Sequence, residues 1–146
     1  MIRSKVQVFD KTLHKSEAWL ADLAAELGWE DQRRVYRALR VTLHALRDRL
    51  PLGEVAQLGA QLPMLIRGLY FEGWSPSRAP DKWLKKDQFL EIVEVAFGDE
   101  PDINAERVVK AVFRTIEKHV SAGESRDVAA VLPEKLSRMW SEAGDL

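Results

Sequence analysis

Asp31–Pro51 reads DQRRVYRALRVTLHALRDRLP, and its periodicity decides the fold. Val35, Leu39, Thr42, Leu43, Leu46 and Leu50 recur at steps of three and four, so a helix of 3.6 residues per turn gathers them on one face. Asp31 stands where a side-chain oxygen can cap the first amides, and Pro51 closes the run. Upstream, Leu13, Leu20, Leu23, Ala24 and Leu27 mark a second helical face that Gly28 ends, and Val6 and Phe9 place Ile2 to Thr12 as an extension of that helix or a segment before it. Downstream, Val55, Leu58 and Leu62 predict a shorter helix from Gly53. Pro63 then kinks it or opens a fourth helix from Met64 to Glu72. No segment alternates with period two, so the class is all-α.

Displacing the chain by 70 positions sets Lys15–Trp74 over Lys85–Gly144 and repeats the pattern without gaps. Gly28 meets Gly98, Arg37 meets Arg107, Gly53-Glu54 meets Gly123-Glu124, and Leu62-Pro63 meets Leu132-Pro133. Apolar positions correspond as well: Trp19 with Phe89, Leu43 with Phe113, Leu46 with Ile116, Tyr70 with Trp140. The expected architecture is therefore two tandem helical repeats, 15–74 and 85–144, joined by a Pro/Ser-rich linker over 75–84. They pack as one pseudo-symmetric domain spanning 1–146, because a unit of about 70 residues buries too little surface to be stable alone. Ser121 and Glu124 have capping-box spacing, in which each side chain satisfies one amide at a helix start.

Composition removes several function classes. The chain has no cysteine, which excludes disulfides, thiolate nucleophiles and every Cys-based metal site. His14, His44 and His119 are far apart, and none has a ligand-type residue one helical turn on, so neither a metal site nor a cofactor is expected. Gly53, Gly68 and Gly73 spell no phosphate-binding loop, and no nucleophile with a base, nor any paired carboxylates, stand out. With 22 basic and 23 acidic residues the net charge is −1, against a surface built as a whole for polyanions. No apolar run suits a secretory leader or a membrane span, so a cytoplasmic protein without a membrane partner is expected.

Phe9-Asp10, Trp19-Leu20, Arg37-Ala38-Leu39 to Leu50, Leu62-Pro63-Met64-Leu65, Arg67-Gly68-Leu69-Tyr70, Gly73-Trp74 and the segment Asn104 to Val120 together resemble the bacterial family catalogued as "domain of unknown function 2267". The resemblance covers nearly the whole chain, and its most specific part is residues 62–74. It implies a fold and no activity, and it transfers no catalytic residue.

Two features are candidates for function. Arg67, Tyr70, Phe71 and Trp74 form an aromatic segment largely missing from the second copy, of a composition common at binding hot spots. Packing of Phe71 and Trp74 at the seam between the copies is the competing role. On the helix of residues 31–51, Arg33, Arg37, Arg40 and Arg47 make a basic stripe able to neutralise phosphates, though acidic neighbours and the balanced net charge favour a solvated or partner-contacting face. The reading that follows is a non-enzymatic protein-binding or regulatory module, with a protein partner or homo-oligomer. The alternatives are nucleic-acid binding through the basic helices, which the charge balance disfavours, and a small-ligand carrier with a pocket between the repeats.

Overall fold

The computed structural model describes residues 5–77, 85–100 and 102–144, with side chains to residue 140. Among them are eight α-helices and no strand. Arg78–Leu84, most of the expected linker, lie outside the described residues.

The first helix, α1 (Gln7–Leu27), absorbs part of the N-terminal stretch as an extension. It stops at Gly28, whose φ of 68° is left-handed, and whose amide bonds to the Ala24 carbonyl. That conformation suits glycine because a Cβ there meets the following carbonyl. Helix α2 (Gln32–Arg47) starts on Asp31, which accepts from the Arg33 amide at 3.0 Å. The helical amides end at Arg47, and bonds from Arg49 to Leu46 and from Leu50 to Arg47 tighten the last turn before Pro51. Pro51 precedes α3 (Leu52–Gln61) and Pro63 precedes α4 (Met64–Phe71). Pro63 therefore opens a helix, a place where its missing N–H costs nothing.

The second half holds α5 (Lys86–Ala96), α6 (Ala105–His119), α7 (Ala122–Val131) and α8 (Glu134–Gly144). Helices α3 and α7 have the same bounds shifted by 70 residues, and so do the starts of α4 and α8. The shift is not uniform. Asn104, which caps α6 by accepting from the Arg107 amide at 3.1 Å, stands 73 residues after Asp31, so the turn before α6 is the longer one. Tyr70 is fully buried and donates its hydroxyl to the Val55 carbonyl at 3.0 Å. Trp140, 70 residues later, donates its indole N–H to Ser125 Oγ at 2.9 Å. In both halves the polar edge of a core aromatic ties the fourth helix to the third.

One apolar core runs through all of this. Trp19, Leu23 and Leu27 from α1, Leu39, Leu43 and Leu46 from α2, Phe89 and Val93 from α5, and Val112, Phe113 and Ile116 from α6 contribute fully buried side chains. The packing crosses between halves: α1 lies on α6, α2 on α5, α2 on α6 and α3 on α7.

A glycine governs the packing of α4. A Cβ on Gly59 would stand 2.7 Å from the Phe71 ring, so only glycine lets α3 accept that aromatic. Gly59→Ala is expected to lower stability by about 1–3 kcal/mol, the usual cost of overpacking. Gly53, also in α3, has nothing within 4 Å of such a Cβ, so Gly53→Ala should raise stability by about 0.5–1 kcal/mol. Urea unfolding of the two variants checks this difference in sign.

Candidate functional site

The aromatic segment is mainly structural. Arg67 reaches back over α3, donating Nε to the Gly59 carbonyl at 2.9 Å and Nη2 to the Leu62 carbonyl at 3.0 Å, so it caps carbonyls that the helix end leaves free. Tyr70 is in the core and presents nothing to a partner. Phe71 packs edge-on to Tyr70 at 4.9 Å and tilted to Trp74 at 5.4 Å, over Gly59. These contacts lie within the first half, where the sequence pointed to the seam. Trp74 is partly buried against the core.

The basic stripe is engaged inside the molecule. Arg47 is 5% exposed and donates Nη1 to the Tyr70 and Glu72 carbonyls, each at 2.8 Å, with Nη2 on Asp48 at 2.7 Å. It caps α4 from below and is not available to phosphate. Arg40 pairs with Glu72 at 2.6 Å, and Arg37 with Glu100 at 3.2 Å and Asp99 at 3.4 Å. Arg34 lies over the Trp29 ring and pairs with Glu100 at 3.0 Å. Of the four residues expected to form the stripe, Arg33 is the one classed as exposed. The acidic turn before α6 thus neutralises α2.

The same exchange runs the other way. Asp22 and Glu26 of α1 receive Lys118 at 3.2 Å and Arg114 at 2.8 Å from α6. His119, the last residue of α6, stacks on Trp19 with ring centroids 4.9 Å apart and bonds Asp22 at 2.7 Å. Burial raises the Asp22 carboxyl, but the bonds from His119 and Lys118 outweigh it and hold the group below its ordinary value. His44 is shifted down by burial, offset in part by its bond to the Leu69 carbonyl. A cleft of about 350 Å³ between α1 and α6 is lined by Glu26, Glu106, Arg107, Lys110 and Arg114. Its charges are largely matched, since Arg114 pairs with Glu26 and Lys110 lies 3.8 Å from Glu106.

The group that the sequence did not single out sits where α3 meets α7. Glu54 and Glu124, matched residues of the two copies, each occupy the third position of their helix. With Asp127 they bring one carboxylate oxygen apiece within 4.8 Å of one another. The capping box expected at Ser121 is half made. Ser121 Oγ accepts from the Glu124 amide at 3.1 Å, but the Ser121 amide donates to Gln61 Oε1 at 3.0 Å. Glu124 is thereby released from the cap and turned towards Glu54. It is 6% exposed, and the Oε2 atoms of both glutamates are inaccessible to solvent and without a hydrogen-bond donor. Burial first, then the Glu54 and Asp127 carboxylates, push the Glu124 carboxyl up to about 8. The recurrence of Gly-Glu at 53–54 and 123–124 was the available signal, but the contact of the two helix starts was not legible.

No helix among the described residues is long and apolar enough to cross a membrane. The molecule is an all-α domain in which two helical halves share one core. The chain belongs to the family described as "Uncharacterized conserved protein (DUF2267)", whose model matches residues 16–139. No curated protein matches it. The match leaves residues 7–15, the first turns of α1, outside the family region.

Two outcomes follow from these contacts. Arg47→Ala, which strips two buried carbonyls of a charged donor, is expected to cost about 2 kcal/mol or more. Arg33→Ala, on the solvent side, should stay within about 0.5 kcal/mol. Chemical denaturation of both variants separates the structural arginine from the surface one. Glu124 supplies the second. Its raised folded pKa means that the folded chain holds a proton the unfolded chain has released, from the ordinary carboxylate range up to about 8. Stability in the presence of a chelator should therefore fall as pH rises through that window. Melting curves should show Glu124→Gln with a flatter dependence and a higher melting temperature than the parent at the alkaline end.

Proposed function

We propose that this protein is a non-enzymatic protein-binding or regulatory module, whose docking surface is the end of the molecule formed by the first turns of α1 and α4. One observation carries the reading. Val6, Val8 and Phe9 are 48%, 47% and 55% exposed, and Met64 and Leu65 are 49% and 52% exposed. The Leu65 amide donates to Thr12 Oγ at 3.2 Å, which holds the start of α4 against α1 and joins the two apolar groups into one surface. Large apolar side chains gathered at one place, rather than scattered, mark an interaction surface.

Lys5, Lys11 and Lys15 are exposed along the same stretch of α1. Apolar anchors beside lysines fit an acidic amphipathic segment of another protein, its apolar residues against Phe9 and Leu65 and its carboxylates towards the lysines. This part of α1 has no counterpart in α5, which starts 70 residues after Ser16, and it precedes the family match. It reads as an addition to a shared scaffold. Nucleic-acid binding through α2, by contrast, would require Arg37 and Arg40 to leave carboxylate partners they already hold.

Site-directed photo-crosslinking in cells tests the proposal, with p-benzoylphenylalanine placed at Phe9, at Leu65, and at Val95 of α5 as a control that is 72% exposed. The expected result is one shared crosslinked partner from positions 9 and 65, absent from position 95 and abolished by Lys11→Glu with Lys15→Glu. Equal products at all three positions, or a partner indifferent to charge reversal, would sink the reading. A product of twice the chain's own mass would replace it with self-association.

A further inference from the structure

We propose that Glu54, Glu124 and Asp127 hold a divalent metal cation of the hard, oxygen-seeking class (Ca²⁺, Mg²⁺ or Mn²⁺) between the first turns of α3 and α7. Three observations carry this. The first is spacing. The three carboxylate oxygens lie within 4.8 Å of one another. Cation–oxygen distances of about 2.0–2.6 Å place two ligands of one ion up to about 4–5 Å apart. The second is the burial of an acceptor with nothing to accept. Glu124 is 6% exposed, its Oε2 is inaccessible to solvent and no donor faces it, and Glu54 Oε2 is in the same condition. A buried carboxylate oxygen without a partner is costly, and two facing each other repel. A positive ion resolves both problems at once. The third is the release of Glu124 from its capping role. Gln61 takes the Ser121 amide that the Glu124 side chain would hold in a capping box, and so leaves Glu124 free to turn into the cluster.

The donor set selects the class of ion. It is all carboxylate, with no histidine, and the chain has no cysteine. Soft and borderline cations that prefer nitrogen or sulfur are therefore disfavoured against those that prefer oxygen. Asp127 is exposed, which provides a way in from solvent and leaves the open side of the ion to water, as Mg²⁺ and Mn²⁺ commonly require. The ligands come from both halves of the chain, Glu54 from α3 and Glu124 and Asp127 from α7, so bound cation ties one half to the other. The raised affinity of Glu124 for a proton is what the same cluster shows without an ion, since a proton is the smallest cation able to relieve it.

The test is thermal unfolding and isothermal titration of chelator-treated full-length protein with CaCl₂, MgCl₂ and MnCl₂ separately, against KCl of equal ionic strength. A saturable rise of a few degrees with at least one divalent ion at about 1 mM or below is expected, because a ligand that prefers the folded state stabilises it by mass action. Asp127→Asn alters an exposed side chain, so it should melt like the parent in chelator while its affinity for that ion falls about tenfold or more. Glu54→Gln with Glu124→Gln should abolish the response. A parent protein that responds to none of the three ions beyond the KCl control overturns the proposal and assigns the cluster to a shared proton. A response that survives Asp127→Asn undiminished overturns it too, by placing the ion elsewhere; this arm stands even if the double variant fails to fold.

Discussion

The first helix of each half is buried against the second helix of the other, and the rest of the structure depends on that exchange. Helix α1 covers α6 while α5 covers α2, so Trp19, Leu23 and Leu27 share a core with Val112, Phe113 and Ile116. A half of about 70 residues hides too little apolar surface to offset the entropy of ordering its chain. Sharing the second helices lets each half borrow a wall from the other. The electrostatics follow the same geometry. Asp22 and Glu26 of α1 meet Lys118 and Arg114 of α6, and the acidic turn before α6 meets Arg34 and Arg37 of α2. Most of these pairs are partly exposed and contribute little each. Their effect is to fix which face of α2 and α6 points where.

Much of this was legible in the sequence because it is local. Helix periodicity, the stop at Gly28, the cap at Asp31, the helix opening at Pro63 and the core places of Leu39, Leu43 and Leu46 are all set by residues within a turn or two of one another. What escaped depends on partners far away along the chain. Arg37 looked like a free cation in a stripe, but its carboxylates lie 62 and 63 residues downstream. Arg47 had the spacing of a surface residue, yet the carbonyls at the end of α4 draw it into the interior. The Ser121 capping box was half right, because Gln61 of α3 competes for the amide that Glu124 would otherwise hold.

The contact of α3 with α7 is where the two halves fit least comfortably. Matched positions of like units bring like residues together, so two glutamates that are each well placed at a helix start, where the dipole favours negative charge, face one another. The same likeness limits the aromatic segment. Gly59 makes room for Phe71 in the first half, and the matched positions in the second are Ala129 and Ser141. Departures from likeness are the places where the halves acquire separate properties. The largest is the start of α1, which α5 lacks and which bears the exposed Phe9.

Native-state hydrogen exchange of the α2 and α6 amides across a urea series tests the dependence of each half on the other most directly. If the shared core makes them one cooperative body, the most protected amides of both helices exchange through the same opening, with equal free energy and equal urea dependence. Should the α6 amides open at low urea while those of α2 stay protected, or the reverse, the halves would be independent folding units and the account would be contradicted.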